Sequence, residues 1–246
     1  MNEEYLISII SVSYNCENDV ITTIESLISQ SFQDYEYIVV DGDSMDSTVE
    51  LVSSFKEQFH SCSLISEPDK GIYDAMNKGV QMAKGRFVYF LNMGDIFYDD
   101  SVLERMVNEI EDGTFDIYYG DVKQVDGLIV QQEGKATLWW AIYREFMVCH
   151  QSIFTKREWL MNNPFDLKFS LCADRDWFIR CLRGGATTHY VKQCICIYDM
   201  SGVSSNLKKF QEDSLAVSMH YGGLRARMFI RIKRMAGKLR RGSGGD

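Results

Sequence analysis

Between residues 6 and 91, short apolar runs alternate with stretches of helical spacing, and nothing else in the sequence narrows the fold as much. Leu6–Ser13 (LISIISVS), Tyr35–Val40 (YEYIVV), Ser63–Ser66 and Phe87–Leu91 (FVYFL) have the length and the β-branched and aromatic make-up of buried strands. Between them, Val20–Ser29 sets Val20, Ile24, Leu27 and Ile28 at helical spacing. Ser47–Phe59 follows a capping residue, Asp46 or Ser47, and Ile72–Ala83 stops before Gly85. This βαβαβαβ order predicts an α/β fold, a mainly parallel sheet with helices on both faces. The pattern then loosens. Ser101–Glu111 reads as a helix, Phe115–Tyr119 as a strand, Gly127–Glu133 as part of a hairpin, and Arg175–Arg183 as a helix among short strands. A chain of 246 residues is long enough for a full core. Residues 1–206 are expected to form one domain and residues 207–246 a helical extension.

The turns at the strand ends restrict the ligand. No GxGxxG comes after the first strand, where the chain reads Ser13-Tyr14-Asn15-Cys16-Glu17. A dinucleotide-binding site needs those glycines for close backbone approach to the pyrophosphate. The second strand ends in Asp41-Gly42-Asp43-Ser44-Met45-Asp46-Ser47-Thr48, a turn whose acids suit the NH and hydroxyl groups of a nucleoside and repel a diphosphate. The fourth strand runs into Asn92-Met93-Gly94-Asp95. One acid stands there, at the strand lip where open α/β sheets hold ligands. The seven cysteines are odd in number and include no CxxC pair, which favours reduced, buried thiols and a cytoplasmic setting over a zinc site. The acidic N-terminus does not resemble a signal peptide, and no apolar run has the length of a membrane span.

Four segments in this order, "SVSYN" (11–15), "VVDGDSMDST" (39–48), "EPDKGIYDAMNKG" (67–79) with "AKGRFVYFLNMGD" (83–95), and "ADRDWFIR" (173–180), resemble the inverting family 2 glycosyltransferases of GT-A fold. "CHQSIF" (149–154) and "SGVSS" (201–205) point to the bacterial exopolysaccharide and O-antigen type. The resemblance implies roles residue by residue. Tyr14 and Asn15 lie beside the nucleotide base, and Asp41 binds base or ribose. Asp43 shares that task, because relatives often carry an acid where this chain has Gly42. Lys70, Asn77 and Lys78 lie on or near the helix facing the donor. Asn92 and Asp95 belong to the metal turn, where Gly94 replaces the usual aspartate, so Mn²⁺ or Mg²⁺ would be held by one carboxylate and donor phosphate oxygens. Asp174 matches the catalytic base, and His150 falls on the acceptor side.

The plainer readings are a helix N-cap for Asp174, a turn residue for Asp95, an i,i+4 ion pair with Arg180 for Asp176, and a core histidine for His150. Trp139, Trp140 and Tyr143 suit either an acceptor pocket or an amphipathic core helix.

Charge is unevenly placed. Residues 1–206 carry 16 basic and 32 acidic side chains, and residues 207–241 carry 10 and 2. Leu224, Met228, Ile232, Met235 and Leu239 form one helical stripe, flanked by Arg227, Arg231, Arg234, Lys238 and Arg241. That pattern suits an anionic membrane surface, whereas an acidic body disfavours nucleic acid. The expected function is non-processive transfer of one sugar, from a nucleotide donor such as a UDP-sugar, to a saccharide or lipid-linked oligosaccharide at the inner face of the membrane. With no QxxRW-like motif or span, a processive synthase is disfavoured. The alternative is a catalytically silent nucleotide-sugar-binding or scaffold protein of a polysaccharide assembly complex.

Overall fold

The computed structural model describes residues 5–143, 148–198 and 207–242, with side chains in the last stretch only for 208–232. The expected strands of the first half all form: β1 (Tyr5–Ser13), β2 (Glu36–Asp41), β3 (Cys62–Ser66) and β4 (Gly85–Phe90). They pair in parallel in the order β3-β2-β1-β4. α1 (Glu17–Ile28), α2 (Thr48–Phe55) and α3 (Ile72–Met82) make the crossovers. The unbroken apolar runs are explained by burial on both faces. Ile10, Val12, Ile38, Val40, Val88 and Phe90 face one core layer, and Ile7, Ile9, Val39, Phe87, Tyr89 and Leu91 face the other, with the period of two that a strand imposes.

Beyond β4 come β5 (Ile96–Phe97), α4 (Val102–Ile110), β6 (Ile117–Gln124), β7 (Ile129–Val130), α5 (Leu138–Tyr143), β8 (Ile153–Lys156), α6 (Arg157–Asn162), α7 (Ala173–Arg183), β9 (Thr188–Tyr198) and α8 (Leu207–Gly242). The sheet continues β4-β8-β6-β9-β5, with β7 on β6. β8 runs antiparallel to β4 and β6, β7 is antiparallel to β6, and β5 is antiparallel to β9. The remaining strands share one direction, so the sheet is mainly parallel. Two expectations needed revision. The hairpin at 127–133 keeps only the two-residue β7, and the short strands expected after 183 are one eleven-residue strand, β9, paired irregularly with β6. Where the hairpin lacks ladder bonds, Gln132 substitutes for them. Its side chain donates to Ser152 Oγ (2.6 Å) and accepts from the Cys149 backbone N–H (2.6 Å), which fixes the segment carrying His150.

α8 is broken at Gly223 (φ 56°, ψ −146°). Before the break it packs on α7. Asp213 accepts from the Leu171 N–H (2.8 Å), and Tyr221 donates to Asp176 (2.7 Å). The Arg175 guanidinium is 2% exposed and places all five N–H groups. It donates to Ser214 O, Ser214 Oγ and Ser218 Oγ of α8, and to the Ala141 and Ile142 carbonyls that the short α5 cannot satisfy internally. The first part of α8 therefore packs on the domain through buried Ser214, Val217 and Ser218, while Lys208, Lys209, Gln211 and Glu212 face solvent.

Candidate active site

The C-terminal ends of β1, β2 and β4 converge with the N-terminus of α7. At the first rim, Asp41 is wholly buried and accepts four hydrogen bonds: from Ser13 Oγ (2.9 Å), Ser44 Oγ (2.6 Å), Ser44 N–H (2.8 Å) and Ser66 Oγ (2.7 Å). Burial alone would raise its carboxyl, but these bonds outweigh burial and hold it below the ordinary carboxylate value. An ionised carboxylate has about four acceptor positions, so Asp41 spends them on the ends of β1, β2 and β3. Asn15 (φ 47°) and Asp43 (φ 66°) adopt the left-handed conformation that short polar residues tolerate. Asn15 donates its N–H to Ser44 Oγ (2.8 Å) and accepts from the Met45 N–H (2.8 Å), which locks the two loops together. Tyr14 (65% exposed) and Asp43 face solvent over this rim. A Cβ on Gly42 would stand 2.6 Å from Asp69 Oδ2 and 3.3 Å from the Tyr14 ring, so the glycine admits Asp69 to the place beside Tyr14.

The turn after β4 is clamped from α1. Buried Thr23 donates to the Asp95 carbonyl and accepts from the Gly94 N–H, each at 2.9 Å. Gly94 has φ +98°, outside what L side chains readily adopt. Asn92 and Asp95 are 8% and 5% exposed. Asn92 Oδ1 is buried with no hydrogen-bond partner among the described residues, an arrangement native proteins rarely keep without a ligand or water. An unpaired amide oxygen and a buried carboxylate in one turn fit a hard divalent cation in donor type. Among the described residues no three His, Cys, Asp or Glu side chains converge, so the protein's own share of such a shell is sparse.

Asp174 sits at the second position of α7, whose N-cap is Cys172, so it is not the N-cap. Its Oδ1 accepts from Tyr73 Oη (3.0 Å) and from the Arg175 N–H (2.8 Å), and its Oδ2 lies 3.0 Å from His150 Nδ1. Burial would raise the carboxyl. The His150 hydrogen bond, the charge of that ring, the Arg175 N–H and Tyr73 together hold it below its ordinary value. Tyr73 is pushed the other way, by burial and then by the Asp174 charge, so it stays protonated and donates. A carboxylate facing Nδ1 calls for the proton on that nitrogen. Asn92 Nδ2 lies 3.4 Å from Nε2, and its Oδ1 consequently points away. Loss of hydration lifts the thiol of neighbouring, half-buried Cys149 to about 12 and leaves it unreactive.

The site brings Asp174, His150 and Asn92 together, but not every residue expected with them. Both ends of the Asn77 amide bond the Phe165 backbone (3.0 and 2.9 Å), a structural use that corrects its place among the donor-facing residues. Lys78 pairs with Glu67 and the Pro68 carbonyl, both at 2.8 Å. Lys70 is exposed, and its backbone N–H donates to Asp74 (3.0 Å) at the start of α3. Sequence reasoning missed Tyr73, Thr23 and Asp69. Tyr73 falls inside the EPDKGIYDAMNKG block, but a tyrosine at a core-facing helical position gives no local sign that its hydroxyl reaches residue 174. A broad groove by Tyr98, Arg105, Glu109 and Lys192 shares no residue with the cluster.

The matching family model, Glycosyl transferase family 2, covers residues 8–158. A "PGL/p-HBAD biosynthesis glycosyltransferase" of Mycobacterium tuberculosis (strain H37Rv) is 31% identical over 205 residues, 82% of this chain and 79% of that protein. Among solved structures, S. aureus TarS 1–349 in complex with UDP-GlcNAc superposes with TM-score 0.67 at 18% identity, over 91% of this chain and 70% of that one. The chain spans 42% of a longer TarS chain. The mannosyltransferase PcManGT from Pyrobaculum calidifontis, in complex with GDP-Man and Mn²⁺, gives TM-score 0.65 at 16% identity, over 98% and 76%. The mainly parallel sheet with its converging strand ends is thus the GT-A fold expected from the motifs, and the chain belongs to glycosyl transferase family 2.

Proposed function

We propose that the enzyme is an inverting, non-processive glycosyltransferase that moves one sugar from a nucleotide donor, a UDP-sugar, to a saccharide or lipid-linked oligosaccharide in surface polysaccharide assembly. The observation that carries this reading is Asp174: an ionised carboxylate, fixed by three donors, one imidazole away from the Asn92 amide. Asp174 Oδ2 accepts one hydrogen bond and keeps a second lone pair for the acceptor hydroxyl. As that hydroxyl oxygen bonds to the anomeric carbon, its proton passes to Asp174. The bond from that carbon to the phosphate oxygen breaks with its electron pair leaving on the diphosphate, which inverts the carbon. Asn92 Oδ1 and Asp95 would hold a divalent cation, which when bound supplies Lewis-acid stabilisation of the leaving diphosphate. Tyr14, Asn15, Asp43 and Asp69 line the rim offered to the nucleoside, with Asp41 fixing the loops beneath. All seven cysteines are free thiols, which suits work on the cytoplasmic face, where nucleotide sugars are made.

Donor screening tests the proposal. Purified protein with Mn²⁺ should release UDP from one UDP-sugar, slowly to water and faster with acceptor, and that donor should raise the Tm with its concentration. The anomeric configuration of the product, read by NMR, should be opposite to the donor's. A retained configuration, or no turnover across UDP-, GDP- and dTDP-sugars, would falsify it.

A further inference from the structure

Over residues 224–232 the last helix has two apolar faces, and the protein core covers only one. At about 100° per residue, Ala226 and Ile230 project to the same side. Both are buried, and Phe229 packs edge-on against Trp139 and Tyr143 of α5. Leu224, Met228 and Ile232 project to the opposite side and are 77%, 63% and 56% exposed. Arg225 borders this row on one edge and Arg227 and Arg231 on the other, all exposed. Trp139 of α5, which packs on Phe229, is itself 50% exposed.

We infer that this face docks the enzyme, helix axis in the plane of the surface, on an anionic lipid bilayer. A row of large apolar side chains edged by cations is unfavourable in water and favourable at such an interface. The charge of the rest of the chain orients the contact. Residues 1–206 carry twice as many acidic as basic side chains, so an anionic surface repels the body and attracts the helix. The indole of Trp139 suits the headgroup depth. A second copy of the chain is the rival occupant. A symmetric pair on this face would set arginine borders close together, a like-charge juxtaposition that disfavours it. The contact also adjoins the chemistry: α5 touches the helix through Trp139 and Tyr143, while its Ala141 and Ile142 carbonyls hold Arg175, the residue after Asp174. An acceptor anchored in the same bilayer would meet the site from this side, a point that rests on the proposed transferase reaction; the docking itself does not.

The experiment is co-sedimentation of the full chain with vesicles of phosphatidylglycerol and phosphatidylcholine, against phosphatidylcholine alone. Binding should need the anionic lipid and weaken in high salt. Exchanging Arg225, Arg227 and Arg231 together for Gln should lower the partition coefficient roughly 100-fold. Exchanging Leu224, Met228 and Ile232 for Gln should lower it at least about tenfold, with donor hydrolysis in buffer unchanged in both variants. Equal partitioning of wild type and variants, equal binding to phosphatidylcholine alone, or a wild-type dimer that the apolar triple variant dissociates would overturn the inference. Wild-type protein that binds vesicles but hydrolyses no donor would instead sink the transferase reading and leave this one standing.

Discussion

His150 Nδ1 lies 3.0 Å from Asp174 Oδ2, and the other nitrogen of the same ring lies 3.4 Å from the Asn92 amide. One imidazole therefore connects the N-terminus of α7 to the turn after β4, two places about 80 residues apart in sequence. The ring fixes the carboxylate on one side and stands beside the Asn92 amide nitrogen on the other. Its role is positional: it sets the direction of two groups that are proposed to touch substrate or cation.

Asp174→Asn should lower kcat on the order of 10²–10⁴-fold while UDP binding, measured by calorimetry, survives. Asn keeps the shape but cannot take the acceptor's proton. His150→Ala should lower kcat less, about 10–100-fold, because Tyr73 and the Arg175 N–H still hold the carboxylate. If Asp174→Asn turns over normally, the carboxylate only buttresses α7.

The pH dependence rests on two carboxylates. Asp174 is held below the ordinary carboxylate value, so its basic form is fully present through the neutral range. The rate should show no acid limb from this group between about pH 5 and 8. Asp116 concerns stability instead. Burial works against its ionisation, but the Thr187 N–H and hydroxyl and Lys156 lower its carboxyl to about 2. A depressed folded value stabilises above the unfolded pKa, near 4, and the gain is lost as pH falls from about 4 towards 2. The contribution at neutral pH is about 2 kcal/mol. Asp116→Asn should lose it at pH 7 and converge with wild type at pH 2 in denaturant titrations. A constant gap between the two proteins across that range would show that packing, not charge, is responsible.

Gly94 bears on the metal turn in a way its sequence context conceals. Restoring the commoner aspartate there would be expected to improve metal binding if the backbone were ordinary, but φ is +98°. A side chain in such a region costs on the order of 1–3 kcal/mol, and the absence of a clash at the Cβ position, which would stand 3.9 Å from Asp19 Cγ, does not relieve it. Gly94→Asp should therefore lower the Tm and fail to tighten Mn²⁺. In the wild type, Mn²⁺ alone should bind weakly and UDP should strengthen it, with Mn²⁺ tightening UDP by the same factor. Asp95→Ala should abolish that mutual enhancement. Equal Mn²⁺ titrations with and without UDP would remove the cation from the site.

How far the sequence could be read depended on whether the signal was local. The four parallel strands and their crossovers were legible because both-face burial writes continuous apolar runs, as in Ile7–Val12 and Phe87–Leu91. The segments carrying Asp174, His150 and Asn92, which the fold brings side by side, stood out through motif resemblance. Tyr73 and Thr23 were not, since each acts through a hydroxyl that reaches residues 101 and 72 positions away. Asn77 misled for the matching reason: its motif position is distinctive, but the structure spends its amide on the Phe165 backbone. β9 was underestimated because its half-exposed, mixed polar sequence pairs by register with β6 and not by apolar pattern.

The last prediction concerns where the chain can be cut. A break after residue 206, at the boundary the charge distribution suggests, would remove three of the five acceptors around the Arg175 guanidinium and the Tyr221 hydroxyl on Asp176. A buried cation stripped of partners costs about 3–5 kcal/mol, a large share of the roughly 5–15 kcal/mol that holds a domain together. Val217, fully buried, would be lost with it. Residues 1–206 alone should therefore lack a cooperative thermal transition. A chain ending at Gly222 keeps every one of those contacts and loses, among the described residues, the burial of Ala226 and Ile230 and the Phe229 packing on α5, worth about 2–4 kcal/mol. It should melt cooperatively at a lower Tm and still hydrolyse donor. Arg175→Met in the full chain separates the two causes. If the tie matters through charge, an apolar replacement of similar length should restore much of the stability that Ser214→Ala with Ser218→Ala removes. Cooperative melting of the 206-residue chain near the wild-type Tm would mean that α8 is an appendage after all.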